Sequence, residues 1–514
     1  MIKLLGNPKR LCDGVTRRDL LHIGGLGAFG LTLGHLPASD VYSAEQASVA
    51  KPTSTMATRL GPRFGRARSC ILIYKYGSPP QHETFDPKPS APVEIQGEMK
   101  AISTSIPGVQ IGDHLPKIAR IADRLTIVRS LTHPYPLHGT VYATTGIPDV
   151  DTKIEAQPRH KRQWPFIGSI VDYVDERRAA GRRSVTPRNV ALPFVMGSKN
   201  EYPPLAGPYG GMLGLRYDPV YTDCSAEGTR LAPEIRPGRA FKDPFLGIQP
   251  TDRLTLASGL RGSDERQVAD FGLRHSLLEQ FNAARRELDQ NERVRAYTAQ
   301  QQMAQSLITS GRIHEALDYT RESSAMREEY GMTLFGQSCL AARRLVEAGT
   351  RFVTVFWDAY GLNAGSWDTH HNHYGRLKEF LLPVFDQAFS ALILDLERRG
   401  MLDETLVLVL SEHGRTPQID SQPKGAARHH WSRAYSQVYA GGGFDRGRVI
   451  GRTDKHAGDV DESPVSPKDV LAAAFYLLGI DPHTTVPDAE GRPVPITGKR
   501  EADLGVLLPG ESGY

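Results

Sequence analysis

Cysteine is scarce in this sequence, and the short motifs of several common enzyme classes are missing. The 514 residues include four cysteines, Cys12, Cys70, Cys224 and Cys339, with no CxxC spacing. That excludes a cysteine zinc knuckle and a dense disulfide framework. The chain also has no GxSxG elbow, no HExxH pair and no phosphate loop. An ordinary serine hydrolase and a zincin are therefore excluded as simple interpretations.

Net charge is small, and no apolar run is long. The 62 lysines and arginines nearly balance the 58 aspartates and glutamates, and no basic stripe alternates with aromatic residues. These features predict that nucleic acid is not the partner. The run from Ile23 to Leu36 is shorter than the roughly 20 residues that a membrane helix needs, so no stable membrane span is predicted. What the chain has in excess is glycine (50), proline (36) and histidine (17).

The N-terminus has the layout of an export signal. Basic residues, including the pair Arg17-Arg18, precede the Gly-rich, weakly apolar run from Ile23 to Leu36. This order predicts a twin-arginine-type signal peptide over residues 1–44, read by the twin-arginine export machinery, and a periplasmic or extracellular protein. The alternative, a buried N-terminal helix, conflicts with the glycines of this run, each of which weakens a helix by about 1 kcal/mol. A loose segment, residues 45–68, follows.

Short apolar runs that stop at Gly-rich polar loops predict the strands of one main domain, residues 69–510. Several of these runs do not alternate with polar residues, which indicates strands buried on both faces, as in a parallel sheet covered by helices. The predicted strands are Cys70–Tyr76, Leu125–Val128, Ala191–Val195, Arg351–Trp357 and Thr405–Leu410.

Helical patterns lie between the strands. Apolar spacing predicts a helix over Arg376–Arg399, and Ser466 with Pro467 predicts the start of another over Lys468–Leu478. Residues 264–348 are rich in Arg, Glu and Gln and predict a helical insertion. The alternation of strand and helix predicts an α/β fold with a largely parallel sheet.

Acidic and imidazole side chains follow several of these strands. In parallel sheets, ligands bind in the loops at the carboxyl ends of the strands, and Asp, Glu and His are ligands of divalent cations. The candidate metal ligands are Asp368 with His370, Glu412 with His413, and His430. Each has another interpretation: Asp368 as a helix cap, Glu412 and His413 as a solvated strand end, and His430 as part of a surface histidine pair.

A hydroxyl nucleophile and an anion-binding cation complete the candidate site. Thr140, beside His138 in a glycine-containing loop, is the first candidate for the nucleophile, and Ser130 and Ser78 are others. Arg129 or Arg415 is the candidate for neutralising an anionic group.

Together these loops resemble the bacterial family defined by domain of unknown function 1501. The motifs that carry the resemblance are Arg17-Arg18, Phe85-Asp86-Pro87-Lys88-Pro89, His114-Leu115-Pro116 with Val128-Arg129-Ser130, Trp367-Asp368-Thr369-His370, Glu412-His413-Gly414-Arg415-Thr416-Pro417, and His430-Trp431 through Gly441-Gly442-Gly443. The resemblance covers about Cys70 to Leu508. It implies an exported protein distantly similar to the alkaline phosphatase and sulfatase superfamily, with an α/β/α sandwich and a metal site at the strand ends.

The resemblance also implies roles and shows two departures. Asp368 and His370 match the family's Trp-Asp-Thr-His motif, Glu412 and His413 match a carboxylate–histidine pair, and His430 matches a late histidine ligand. The aspartate ligand expected after the first strand is missing, so either Glu83 substitutes for it or that ligand is lost. No Cys-x-Pro-x-Arg sulfatase nucleophile motif is present.

Two functions are consistent with these observations. The first is an exported, metal-dependent hydrolase of phosphate or sulfate esters that uses two divalent cations, with zinc, manganese, calcium or magnesium left open. Its substrate is an anionic ester, such as one carried by a polysaccharide. The second is a catalytically inactive sulfatase-like protein that serves as an exported carbohydrate- or surface-binding module.

Overall fold

The computed structural model describes residues 61–135, 139–147, 157–158, 160–179, 186–199, 207–232, 242–256, 311–361, 366–422, 425–498 and 502–511. The predicted signal peptide, residues 1–44, lies outside these residues. So do His138 and residues 264–310 of the predicted helical insertion.

Seventeen strands occur in the described part of the chain, and nine of them form one sheet. They are β1 (Ser69–Lys75), β2 (Ala101–Ser103), β3 (Gln110–Gly112), β4 (Leu125–Leu131), β5 (Asn189–Leu192), β6 (Val220–Cys224), β7 (Leu254–Leu256), β8 (Phe352–Trp357), β9 (Thr405–Leu410), β10 (Gly414–Arg415), β11 (His430–Trp431), β12 (Tyr435–Ala440), β13 (Arg448–Ile450), β14 (Arg452–Thr453), β15 (Val460–Glu462), β16 (Thr485–Pro487) and β17 (Pro493–Pro495).

The large sheet has the order β13-β4-β12-β9-β1-β8-β5-β6-β7. Strand β1 lies in the middle and pairs in parallel with β8 on one side and β9 on the other. Strands β5 and β6 continue the parallel set, whereas β12 runs antiparallel between β4 and β9, and β7 runs antiparallel at one edge. The carboxyl ends of β1, β8 and β9 therefore meet at one edge of the sheet.

Both faces of the central strands are buried. In β1, Ile71 and Ile73 belong to one hydrophobic cluster, and Leu72 and Tyr74 belong to the cluster on the opposite face. Because each fully buried aliphatic side chain contributes about 1.5–3 kcal/mol, a strand of this composition is stable only when helices cover both faces.

Ten α-helices occur in the described residues. They are α1 (Val93–Gln96), α2 (Pro116–Arg120), α3 (Thr140–Thr145), α4 (Ile167–Arg178), α5 (Gly311–Leu317), α6 (Ser324–Tyr330), α7 (Leu334–Glu347), α8 (His373–Arg376), α9 (Leu382–Arg398) and α10 (Pro467–Leu477). Helices α7 and α9 pack on one face of the sheet, and α4 and α10 pack on the other. The predicted α/β class, with a largely parallel sheet between helices, is confirmed.

Two helical regions differ from the sequence prediction. The helix predicted over Arg376–Arg399 is divided into α8, a π-turn at Leu377–Leu381 and α9. Pro383 lies in the first turn of α9, where its missing N–H removes one backbone hydrogen bond from a continuous helix. Helix α7, at the end of the predicted insertion, packs against β8 and α9 and so belongs to the core of the sandwich.

The start of α10 follows its sequence signature. The Ser466 hydroxyl accepts a hydrogen bond from the Asp469 N–H, and the Asp469 carboxylate accepts one from the Ser466 N–H, which forms a capping box. Within the described residues, no helix is both long enough and apolar enough to cross a membrane.

Candidate metal site

Two segments bring three potential metal ligands together at the carboxyl edge of the sheet. Asp368 and His370 lie in the loop that follows β8, and His430 begins the short strand β11. We call these three residues the triad. They form the one group of three or more metal-ligand side chains found within the described residues.

The distances within the triad suit a shared cation. Asp368 Oδ1 lies 3.0 Å from His370 Nε2 and 3.4 Å from His430 Nε2, and the two imidazole nitrogens are 2.9 Å apart. Ligands bound tetrahedrally at 2.0–2.1 Å from a zinc ion are about 3.3 Å apart. Two facing Nε2 atoms cannot both carry hydrogen at this distance, so one of them must offer a lone pair. The donor set therefore fits a divalent cation.

The triad is partly open to solvent. The side chains of Asp368, His370 and His430 are 13%, 29% and 22% exposed. His429 lies at the outer rim, with its Nδ1 3.0 Å from Nδ1 of His370. A site with three protein ligands and an open side is typical of catalytic rather than structural zinc.

Arg415 brings a permanent positive charge against the triad. Its Nη2 donates to Asp368 Oδ1 at 2.5 Å, and its Nη1 lies 3.5 Å from His370 Nε2. The same guanidinium donates to the carbonyls of Gly77 and Ser78, and its side chain is fully buried. Arg415 thus joins the loop after β1 to Asp368 and neutralises part of that carboxylate's charge.

Gly77 allows the two loops to approach closely. A Cβ atom at this position would lie 2.2 Å from the Asp368 nitrogen, and the residue has a φ of +99°. Both observations require glycine. The turn that follows β1 therefore passes directly against the backbone of a triad residue.

Glu412 follows β9 but turns its carboxylate inward. Its Oε1 accepts a hydrogen bond from the Gly77 N–H at 2.7 Å, and its Oε2 accepts one from the Tyr74 hydroxyl at 3.1 Å. The residue is buried, and the structure does not place it in the triad's group of ligand atoms. Glu412 holds the end of β1 and the turn after it.

His413 packs against the triad from below. Its ring centroid lies 4.6 Å from that of His430, and its Nδ1 is 2.9 Å from the Gly414 carbonyl oxygen. A carbonyl oxygen can only accept a hydrogen bond, so Nδ1 of His413 carries the hydrogen in this contact. The His413 N–H also donates to the Ser78 hydroxyl at 3.2 Å.

Glu83, the substitute ligand considered after the first strand, lies apart from the triad. Its Oε1 accepts two hydrogen bonds from Arg428, at 2.7 and 3.0 Å, and its Oε2 lies 3.6 Å from His373 Nε2. Burial raises the pKa of Glu83, but the Arg428 guanidinium and the His373 imidazole outweigh it and hold the pKa well below its usual range. Glu83 is paired with the buried Arg428 guanidinium and is not part of the group of three potential ligands.

Arg129 is bound elsewhere. Its guanidinium donates to the carbonyl oxygens of Phe85 and Gln110, at 2.8 and 2.7 Å. These bonds, with the Asp86 carboxylate 3.7 Å from Nε, tie the side chain to the Phe85–Asp86 turn and to the end of β3. Its expected role in binding an anion has no support in these contacts.

The three hydroxyl candidates are all buried. Thr140 lies at the start of α3. The Ser130 hydroxyl donates to the Ser463 carbonyl at 2.6 Å. Of the hydroxyls proposed, Ser78 is the one with contacts to residues beside the triad, although its side chain is buried.

The residues that contact the buried carboxylates Glu83 and Glu412 were not predicted from the sequence. Arg428 and His373 are fully buried and contact Glu83, and Tyr74 reaches Glu412 from within β1. The available signal was the position of Arg428 two residues before His430, and that of His373 three residues after His370.

The chain was compared with curated sequences, with solved structures and with protein-family models. A search of curated protein sequences finds no match. Among solved structures, the chain is similar to Ps i-CgsB at 12% identity, with a TM-score of 0.36 over 81% of this chain and 72% of that one. The PsFucS1 sulfatase from Pseudoalteromonas sp. matches at 11% identity, with a TM-score of 0.35 over 81% and 68%. The phosphonate monoester hydrolase SpPMH from Silicibacter pomeroyi matches at 10% identity, with a TM-score of 0.30 over 83% and 75%.

These structural likenesses are distant, and we assign no activity to this chain from them. The family comparison is more extensive, because the model described as "Protein of unknown function (DUF1501)" matches residues 67–505. The matched residues include the central sheet and the two segments that carry the triad. The family predicted from the motifs is thereby confirmed, and this chain belongs to the DUF1501 family.

Proposed function

We propose that the protein is an exported, metal-dependent hydrolase of phosphate or sulfate esters. The observation that carries the proposal is the triad of Asp368, His370 and His430, whose facing ligand atoms lie 2.9–3.4 Å apart on a partly open surface. An aspartate and two imidazoles form a borderline donor set, which favours zinc or manganese over calcium or magnesium. A cation bound there would polarise an ester oxygen and lower the pKa of a bound water to about 7.

The chain's own residues prepare this site for an anion. Two neutral imidazoles leave most of the cation's charge uncompensated, and Arg415 neutralises part of the charge of Asp368 at 2.5 Å. Because Arg415 is fully buried, it acts on an anionic ester through its field rather than through contact. Both features favour a phosphate or sulfate group over a neutral ester.

We propose one cation in place of the two expected from the alkaline phosphatase resemblance. The carboxylates of Glu83 and Glu412 accept hydrogen bonds from Arg428, Gly77 and Tyr74. These hydrogen bonds to protein donors support a site for one cation rather than two. Water activated at the triad is then a better candidate for the nucleophile than Thr140.

The inactive binding module is the second candidate. The same engagement of Glu83 and Glu412 favours it, since a site that has lost half of its ligands can retain a cation without turnover. Export to the periplasm or beyond, through the signal predicted in residues 1–44, is part of both proposals.

The test combines metal analysis with an activity screen. Protein purified from its export compartment is analysed for bound metals and then assayed on aryl phosphate, phosphodiester and sulfate esters, with zinc or manganese added. The hydrolase proposal predicts about one cation per chain, and activity that chelation removes and the same metal restores. Full occupancy with no turnover on any ester, together with binding of sulfated glycans, would favour the binding module. Protein without metal would contradict both forms of the site.

A further inference from the structure

Three buried side chains join the two segments that carry the triad. Arg428 donates to Glu83 Oε1 from both Nε and Nη2, at 3.0 and 2.7 Å. On the other side, His373 Nε2 lies 3.6 Å from Glu83 Oε2, and His373 Nδ1 lies 2.7 Å from the Thr369 hydroxyl. Glu83, Arg428 and His373 are each 1% exposed or less. We call these three residues the clamp.

Each end of the clamp is close in sequence to a triad residue. Thr369 stands between Asp368 and His370, and Arg428 precedes His430 by two positions. The segments are also bonded through their backbones, because the His373 N–H donates to the Ala426 carbonyl at 3.0 Å. Glu83, which contacts Arg428 in one segment and His373 in the other, acts together with this backbone bond in setting the distance between the two ligand segments.

Hydrogen bonds hold Arg428 of the clamp in a single orientation. Besides Glu83, Arg428 donates to the carbonyls of Ile95 at 2.7 Å, Thr416 at 3.0 Å and Pro417. A guanidinium held in four directions in the interior keeps one orientation, and the buried charge it carries requires a carboxylate partner. Glu83 supplies that charge from a third loop, the one that follows β1.

We propose that Glu83 is a positioning residue. Through Arg428 and His373, it sets the distance between His430 and the Asp368–His370 pair. This distance determines the affinity of the triad for its cation. This inference rests on the cation site proposed above. Outer partners of metal ligands typically alter metal affinity by 10- to 100-fold.

The test compares Glu83→Gln with a matched control. Asp395 also forms a buried pair, with its carboxylate 2.9 Å from Arg343 Nε and side chains 2% and 0% exposed, but in the layer of helices α7 and α9. Cobalt affinity and the visible spectrum of the cobalt-loaded full-length protein are measured for wild type, Glu83→Gln and Asp395→Asn. We expect Glu83→Gln to weaken cobalt binding by about 10- to 100-fold and to change the spectrum, and Asp395→Asn to change neither, although both substitutions lower the melting temperature.

A second measurement separates the clamp from the cation site. Hydrogen exchange in metal-free protein should show lost protection over residues 366–373 and 425–431 in Glu83→Gln and not in Asp395→Asn. Unchanged cobalt affinity and spectrum in folded Glu83→Gln would overturn the inference. If wild type binds no cobalt, the cation site fails, and unchanged exchange would then overturn the clamp as well. Should Glu83→Gln not fold, Arg428→Lys, which keeps the charge but loses the forked contact, takes its place with the same expected outcomes.

Discussion

The carboxylates at the carboxyl edge of the sheet have two different surroundings. One oxygen of Asp368 faces His370, His430 and Arg415, and the side chain is 13% exposed. Both oxygens of Glu412 face donors of the protein framework, the N–H of Gly77 and the hydroxyl of Tyr74, and the residue is buried. Each residue follows a central strand, and each is accompanied by a histidine one or two positions later.

The difference lies in the donors each carboxylate meets. Asp368 faces two imidazoles, which can offer lone pairs to a cation, as well as the buried Arg415 guanidinium, whereas Glu412 accepts hydrogen bonds from N–H and O–H groups. A cation can enter the first arrangement because the imidazoles can turn lone pairs toward it and Arg415 also donates to the carbonyl oxygens of Gly77 and Ser78. If a cation displaced the donors around Glu412, a backbone N–H and a tyrosine hydroxyl would lose their hydrogen-bond partner. Each unsatisfied group would cost about 1–3 kcal/mol of stability.

The largest expected effect is the loss of metal in His430→Ala. Removing one of three ligands should lower zinc affinity by more than about 100-fold, beyond the range seen for outer partners, as measured by isothermal titration calorimetry. The control is His483→Ala, which removes an exposed histidine that also pairs with an aspartate, Asp481, at 3.0 Å. Equal zinc affinity in the two variants would rule out His430 as a ligand.

Glu412→Ala should affect stability more than metal binding. The Gly77 N–H and the Tyr74 hydroxyl would lose their partner, so the free energy of unfolding should fall by about 4 kcal/mol while zinc affinity changes by less than about threefold. Urea unfolding and calorimetry measure the two quantities. Glu404→Ala, at an exposed residue paired with Arg68, is the control and should change stability by less than about 1 kcal/mol. If Glu412→Ala lost its metal as His430→Ala does, Glu412 would be a metal ligand, as predicted from the sequence. The contrast between Asp368 and Glu412 would then be wrong.

The surroundings of Glu412 should also respond to acid through His133. His133 Nε2 donates to the Glu412 carbonyl at 2.7 Å, and burial lowers the pKa of this histidine to about 4, against the opposing effect of Glu412. The native state holds the ring neutral, whereas the unfolded chain takes up a proton near pH 6.5. Stability is therefore complete above about pH 6.5 and is lost as the pH falls toward 4, by up to about 3 kcal/mol.

His133→Gln keeps a donor near the position of Nε2 and removes the titration. Unfolding free energies are measured from pH 7 to pH 4. They should fall less steeply in this variant than in wild type, because up to one proton fewer is taken up on unfolding. Parallel curves would show that His133 does not contribute to the acid sensitivity.

The smallest expected effect is far from the site. Ser466→Ala removes the side-chain cap of α10 and should lower the free energy of unfolding by about 1 kcal/mol. Zinc affinity should not change, which makes this variant a measure of how far general destabilisation alone affects the triad. A loss of zinc here would weaken the interpretation of the other variants.

Much of the central sheet could be predicted from the apolar runs. Strand β9 was predicted with its observed bounds, Thr405–Leu410, and β1 lies one residue before its predicted position. Strand β4 was predicted to end at Val128, but it continues to Leu131 because the N–H groups of Arg129 donate to two backbone carbonyls and its charge lies 3.7 Å from the Asp86 carboxylate.

Strand β12 (Tyr435–Ala440) was not predicted. Its sequence includes Ser436 and Gln437, which weaken the apolar pattern. In the fold, the Gln437 amide donates to the Ser411 carbonyl and its oxygen accepts from Tyr439, so a polar residue is accommodated inside the sheet. The Ser411 carbonyl belongs to the loop after the neighbouring strand β9, and a local sequence pattern does not reveal such a partner.

The candidate site, like the sheet, was predicted only in part. That Asp368, His370 and His430 would meet followed from their positions after the strands, a rule that depends only on topology. The direction of each side chain did not follow, because it is set by partners distant in sequence: Arg428 and Glu83 are 345 positions apart. Glu83, Glu412 and Arg129 were predicted from their positions after strands and from the family resemblance, but neither reveals the donors and acceptors that surround each side chain in the fold.

The central place of β1 affects the order in which the chain can fold. Cys70 pairs with Phe352 on one side and Leu406 on the other, so the first strand has no neighbour in the sheet until most of the chain has been synthesised. Pairings this distant in sequence form slowly and leave an apolar strand exposed in the meantime. For such a chain, completing the sheet before crossing a membrane avoids exposing that strand during transit. The twin-arginine-type signal predicted at the N-terminus directs a protein to an exporter that accepts folded cargo, so the topology of the sheet gives a physical reason for that route.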